Sequence, residues 1–149
     1  MVDLEKQLTD LLKDAMRNKD SMKLDAIRSF KSAIQYYKIE KMKKELDEND
    51  YLSIVSKMIK QRKESIEEFT KAGRIELAAK EEFEYKFLSR FMPEQMNADQ
   101  VEAEIRTIIQ SVGASGKKDF GKVMKEASVR LKGKADGNLI RQTAEKLLS

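Results

Sequence analysis

Apolar residues recur along this chain at the three-to-four-residue step of an α-helix, not the two-residue step of a strand. Leu4, Leu8, Leu11, Leu12 and Ala15 set a first stripe between about residues 3 and 18. Acids lead it (Asp3, Glu5) and Arg17 closes it, as the helix dipole favours. Asp20 or Ser21 is placed to cap a second helix carrying Ile27, Phe30, Ile34 and Tyr37, with a basic tail of Lys38, Lys41, Lys43 and Lys44. Residues 46–50 read as a polar turn, and Asn49 or Asp50 as the cap of a third helix. There Leu52, Val55, Ile59, Ile66 and Phe69 form a stripe with Arg62 at the missing step, and Gly73 ends it. A fourth helix is expected from about Arg74 to Met92, apolar through Ile75, Leu77, Ala79, Phe83, Phe87, Leu88 and Phe91, and stopped by Pro93.

Beyond Pro93 the pattern changes. Nine of the ten aromatics precede it and only Phe120 follows, whereas five of the six glycines lie past residue 100. Asn97 with Gln100 resembles a capping box for a fifth helix bearing Val101, Ile105, Ile108, Ile109 and Val112. Phe120, Val123, Met124, Ala127 and Leu131 mark a sixth, stopped by Gly133. Asp136 caps a seventh, with Leu139, Ile140, Ala144, Leu147 and Leu148. The expectation is an all-α protein: a long-helix domain over residues 1–93, then a three-helix bundle over residues 94–149.

Composition narrows the chemistry. The 149 residues contain no Cys and no His. A thiolate nucleophile, an imidazole base, a Ser-His-Asp triad and a soft zinc site are therefore excluded. So is a disulfide framework, and a cytoplasmic protein is expected on that ground. No stretch reaches the roughly 18 apolar residues of a membrane helix, and the first residues lack a signal-peptide core. Neither phosphate-loop signature occurs; Gly113-Ala114-Ser115-Gly116 with Lys117 and Lys118 follows a helix and has the wrong spacing. The acidic pairs Glu67/Glu68 and Glu81/Glu82 read as solvated helix faces. No metal, cofactor, catalytic residue or small-molecule substrate is expected.

Two features remain. Arg62 inside an apolar stripe costs desolvation unless paired; Glu81 and Glu84 on the next helix are candidate partners, and snorkelling to water is the alternative. From residue 115 on, nine bases stand against four acids, a net +5 that exceeds the +4 of the whole chain. A basic, glycine-punctuated, aromatic-poor bundle suits contacts to phosphate and to the shape of a nucleic acid, not base stacking.

The run Gly121-Lys122-Val123-Met124, then Lys132-Gly133-Lys134-Ala135-Asp136-Gly137, Leu139-Ile140 and Leu147-Leu148, resembles the GatB/YqeY domain. That domain forms the tail of one component of the glutamine-dependent tRNA amidotransferase. The rest of the chain is similar to the free-standing YqeY family through Arg28, Lys31 to Ile34, Lys60-Gln61-Arg62, Ser65, Phe69, Gly73-Arg74, Leu77, Glu81 and Glu84. It departs at Phe91-Met92-Pro93, where Tyr-Leu-Pro is expected. Structurally, Gly133 suits a left-handed helix end, Asp136 a cap, and Gly137 a close helix approach. The resemblance implies tRNA engagement without either reaction centre of the amidotransferase. The expected function is thus a non-catalytic RNA-associated protein, binding tRNA or a tRNA-dependent amidotransferase-type enzyme. Lys117, Lys118, Lys122, Lys132, Lys134 and Arg141 are the candidate RNA contacts. The alternatives are a protein-interaction adaptor without an RNA role, and an amidotransferase-like carbon–nitrogen ligase using glutamine as amido donor.

Overall fold

The structure, a computed structural model, describes residues 3–149. Seven α-helices and no strand occur among the described residues: α1 (Leu4–Arg17), α2 (Ser21–Lys41), α3 (Glu48–Lys71), α4 (Ile75–Ser89), α5 (Ala98–Val112), α6 (Phe120–Arg130) and α7 (Gly137–Leu148). A single 3₁₀ turn, Lys117–Asp119, precedes α6. The all-α class read from the helical periodicity is the class observed. The chain divides into two compact units, one through Phe91 and one from Met92.

In the first unit α1 packs on α2, α3 pairs extensively with α4, and α2 touches both α3 and α4. Leu4, Leu8, Ile27, Phe30, Ile34, Val55 and Leu88 are fully buried. Phe91 stacks edge-on against both Phe30 and Phe87, with ring centroids 5.3 Å apart in each pair. In the second unit α5, α6 and α7 bury Val101, Ile105, Ile108, Val123, Ala127, Leu131, Ile140, Ala144 and Leu148 around one apolar core.

Four helices end alike. The amides of Asp20, Lys43, Arg74 and Ala114 reach back to the carbonyls of Ala15, Lys38, Phe69 and Ile109. The residue that makes each reversal has positive φ: Lys19 (53°), Met42 (55°), Gly73 (72°) and Gly113 (69°). Glycine adopts this geometry freely, whereas Lys19 and Met42 each bear roughly 1 kcal/mol or more for it. The glycine ends are readable in the sequence. The other two are imposed by where the next helix must start.

Several expectations are corrected. The cap of α3 is Asp47, and Asp50 is its third helical residue, closing a capping box. Glu48 and Asn49 are therefore helical rather than turn. The buried residues of α3 lie in its first half and include Ile54 and Met58, while Ile59, Ile66 and Phe69 are only half-buried. α4 ends at Ser89, and its first apolar residues, Ile75 and Leu77, are exposed. Gly137 is not a close-approach position: a Cβ there would meet no heavy atom within 4 Å, because the first residue of α7 faces open space.

The apolar core of the second unit is complete within residues 92–149, which motivates a test of the expected 1–93 and 94–149 domains. Ile105→Ala, at a fully buried site, should cost about 2–5 kcal/mol. Native-state hydrogen exchange of the full chain should then accelerate in residues 94–149 and stay unchanged in residues 1–93. Equal acceleration throughout would mean a single cooperative unit.

Candidate nucleic-acid interface

Most of the candidate basic residues of the second unit are held at the two ends of α6. At its start, the Ser115 amide donates to Asp119 Oδ2 at 2.9 Å and closes the turn that carries Lys117 and Lys118. That hydrogen bond, with the positive field of Lys118 and Lys122, holds the Asp119 carboxyl below its ordinary value. The 3₁₀ turn packs on α6 and on α7. At the far end, Gly133 turns the chain with φ 74° and the Lys134 amide returns to the Leu131 carbonyl. The carbonyls on either side of this corner are clamped: Gln95 Nε2 donates to Gly133 O at 2.7 Å, and the Met96 amide to Lys134 O at 2.8 Å. Asp136 then caps α7 by accepting from the Asn138 amide at 2.7 Å. Gln95 and Met96 carry no sequence signal for this role, since their partners lie nearly 40 residues away.

All six candidate contacts, Lys117, Lys118, Lys122, Lys132, Lys134 and Arg141, are exposed, and so are Lys125, Arg130 and Lys146. Arg130 and Arg141 lie within ion-pair distance of Glu126 (4.0 Å) and Glu145 (3.3 Å). The seven lysines have no acid within that distance among the described residues. Lys125 and Lys146 therefore belong with the candidate set. The eleven residues of α6 separate its two basic ends by about 16 Å. The one aromatic of the unit, Phe120, packs partly buried against the core.

Arg62 lies at the seam of the first unit, with its side chain 18% exposed. Its Nε is 2.6 Å from Glu84 Oε2 and 3.4 Å from Glu81 Oε2, and Nη2 donates to Ser29 Oγ on α2 at 2.9 Å. Nε and Glu81 Oε2 make no hydrogen bond, so both carboxylate contacts are electrostatic rather than in line. One guanidinium thus joins α2, α3 and α4.

Two further polar clusters escaped the sequence reading. Asp50 is 6% exposed and accepts from Tyr37 Oη (2.7 Å), Lys43 Nζ (3.0 Å) and the Asp47 amide (3.0 Å). Burial pushes the Asp50 carboxyl up, but these three donors outweigh it and hold it at about 2. Its acceptance of the phenol proton, with burial, raises Tyr37 to about 12. Glu5 joins α1 to Lys38 Nζ (2.8 Å) and Tyr51 Oη (2.9 Å). Burial opposes its ionisation, and Lys38 and Tyr51 nonetheless lower it. Burial and the same contact raise Tyr51 to about 12. The residue types were visible; their meeting across as many as 46 residues was not. No group of three or more potential metal-ligating side chains occurs among the described residues.

With this geometry in place, comparison with known proteins adds a lineage. The model of the family described as "Yqey-like protein" matches residues 5–148. The chain is similar to "Altered inheritance of mitochondria protein 41, mitochondrial" of Saccharomyces cerevisiae strain YJM789, with 44% identity over 81 residues, 54% of this chain and 44% of that one. The protein of the same name in Lachancea thermotolerans is 36% identical over 95 residues, 64% of this chain and 51% of the relative. The chain spans about half the length of the curated relatives it matches. Both relatives are named mitochondrial proteins, a finding that overturns the expected cytoplasmic location. The physical reason is that absent cysteine excludes only a disulfide framework; it does not distinguish one compartment from another where thiols stay reduced.

Two experiments probe the buried polar contacts. Arg62→Met, which strands the buried Glu84 carboxylate beside Glu81 without a cation, should be destabilising in chemical denaturation. Glu84→Ala, which leaves the guanidinium short of its nearest charge, should cost more than the ~0–1 kcal/mol of an exposed pair and less than the ~3–5 kcal/mol of a fully buried one. Negligible loss for Glu84→Ala would mean that the seam is held by packing alone. The second experiment is acid titration. Asp50 is depressed from 3.8 to about 2, so its contribution is fully present above pH 3.8 and lost as pH falls towards 2. Asp50→Asn should flatten the loss of helicity across that window; an unchanged acid transition would count against the assignment.

Proposed function

The chain belongs to the YqeY family, and on that premise we propose that it is a non-catalytic RNA-associated protein that binds tRNA through the basic bundle of α5–α7. The observation carrying this reading is the set of seven exposed lysines without acidic partners among the described residues, five of them at the two ends of α6 beside turns that hydrogen bonds hold. Lysine and arginine contacts to phosphate release counterions and give affinity without base chemistry. The partial burial of the one aromatic ring in this unit favours backbone and shape contacts over stacking. The resemblance of residues 132–137 to the amidotransferase tail supports the same class of ligand.

No catalytic role is assigned. The buried or part-buried acids Glu5, Asp50, Glu81 and Glu84 of the first unit are engaged in holding helices together, and the chain has neither histidine nor cysteine. Incubation with glutamine, ATP and mischarged tRNA should yield no amidated product above background; catalytic formation of that product would restore the carbon–nitrogen ligase alternative.

The RNA reading is tested by fluorescence anisotropy with bulk tRNA at several salt concentrations. Three to five phosphate contacts, at about −0.7 to −0.9 each, give a log–log slope of about −2 to −4. Lys118→Ala and Lys132→Ala, one from each end of α6, should each flatten the slope by about one without moving the melting temperature. Arg141→Ala should do less, because Glu145 already neutralises part of its charge. Asp136→Ala should instead destabilise the bundle by about 1 kcal/mol through the lost cap. Lysine variants that bind as tightly as the unsubstituted protein would end the RNA reading.

A further inference from the structure

The first unit has a surface that neither the fold nor the RNA reading uses. Between α2 and α3 lies an open groove of about 500 Å³, a volume typical of ligand clefts. Both walls follow a helical register. Ala33, Tyr37 and Lys41 recur every four residues on α2, and Ile54, Met58 and Gln61 recur at three to four on α3. Ile54 and Met58, each 5% exposed, form the apolar floor. The walls run from Ser32 to Lys41 and from Ser53 to Gln61, so the groove is about 14–15 Å long. That length takes the i, i+4, i+7 anchors of one helix.

Apolar surface continues from the groove on the α2 side: Tyr36, on the groove wall, is 66% exposed, and beyond it Ile39 near the end of α2 and Met42 at its C-cap are 77% and 92% exposed. None of them contributes to the core. Tyrosine and methionine at such a position are the residues that recognition surfaces favour, Tyr for rigid area and Met for adaptable fit.

Charge selects the occupant. The groove is lined by two cations, Lys41 and Lys57, against one acid, Glu40. Neither lysine has an acid within ion-pair distance among the described residues, although Lys38 and Lys43 nearby are both paired. Lys41 lies 5.9 Å from the Tyr37 ring centroid, over the groove wall. We propose that the α2–α3 groove docks an amphipathic helix of a partner protein, with apolar anchors at i, i+4 and i+7 seated on Ile54, Met58 and Tyr36, and acidic residues flanking them to meet Lys41 and Lys57. This site is in the other unit from the basic bundle and is independent of the RNA reading.

The probe is a fluorescein-labelled 15-residue peptide of helix-favouring sequence, with leucine at i, i+4, i+7 and i+11 and glutamate on both flanks. Its control carries lysine in place of every glutamate. Fluorescence anisotropy with the full chain should show the glutamate peptide binding about tenfold or more tighter than the lysine peptide. Tyr36→Ala and Lys57→Glu are exposed substitutions that should each weaken the glutamate peptide about fivefold or more. Circular dichroism should stay unchanged, and so should tRNA affinity. Equal binding of the two peptides, no binding of either, or indifference to both substitutions would overturn the proposal. Sedimentation velocity supplies a further arm. A dimer of the chain that Tyr36→Ala dissociates would make a second copy the occupant, and would equally overturn a partner helix.

Discussion

Placing a carboxylate out of water costs several kcal/mol unless donors meet it from several sides, and in this chain that demand falls on Asp50. Its three donors come from the cap of α3, from the last turns of α2 and from the segment between them. Meeting the demand fixes how α2 gives way to α3. Met42 accepts a left-handed conformation with φ 55°, the chain reverses, and Lys43 arrives at the carboxylate. Glu5 repeats the device one helix over, drawing Lys38 and Tyr51 onto α1. The first three helices are thus pinned together by polar contacts, with Arg62 pinning α2 and α4 to α3 farther along. Along the rest of their length α2 and α3 touch only sparsely, which leaves the groove open between them.

The two units use charge in opposite ways. In the first, Glu5, Lys38, Asp50, Lys43, Arg62 and Glu84 are engaged with one another, and their geometry specifies helix register. In the second, the core is apolar throughout and the lysines project outward. A unit of under about 60 residues buries too little surface to carry unnecessary desolvation of charge. Its polar bonds are accordingly local, caps and pairs four residues apart on one helix, apart from one clamp, Gln95 and Met96 on the Gly133–Lys134 corner. The consequence is a small scaffold whose arginines pair with neighbouring glutamates while its seven lysines meet no acid among the described residues.

The helices were legible because periodicity, caps and glycine ends are local. The Asn97–Gln100 box, the Asp136 cap and the Gly73 and Gly113 ends each involve residues within a turn or two of each other. The exclusion of cysteine and histidine chemistry was legible for the same reason, since it needs no geometry at all. Arg62 could be noticed as an odd residue in a stripe, and its partners narrowed to two carboxylates on the next helix, because consecutive antiparallel helices meet predictably. Which apolar residues of α3 and α4 would be buried was not legible. Ile75 and Ile54 are equally apolar, yet one is exposed and the other forms the floor of a groove, and only the neighbouring helices distinguish them.

What the sequence determined by itself is the set of helices, their order, and the placing of a basic, ring-poor segment at the C-terminal end. What the tertiary structure alone decided is which charges are spent and which remain. Lys38 and Lys41 are one turn apart on the same helix; one is held by Glu5 and the other faces the groove. Lys43 lies on Asp50, whereas Lys132 and Lys134 meet no acid among the described residues. The energy of a charge depends on what lies within a few ångströms of it and on how much water it keeps. Those distances join residues far apart in the chain, and no local pattern encodes them.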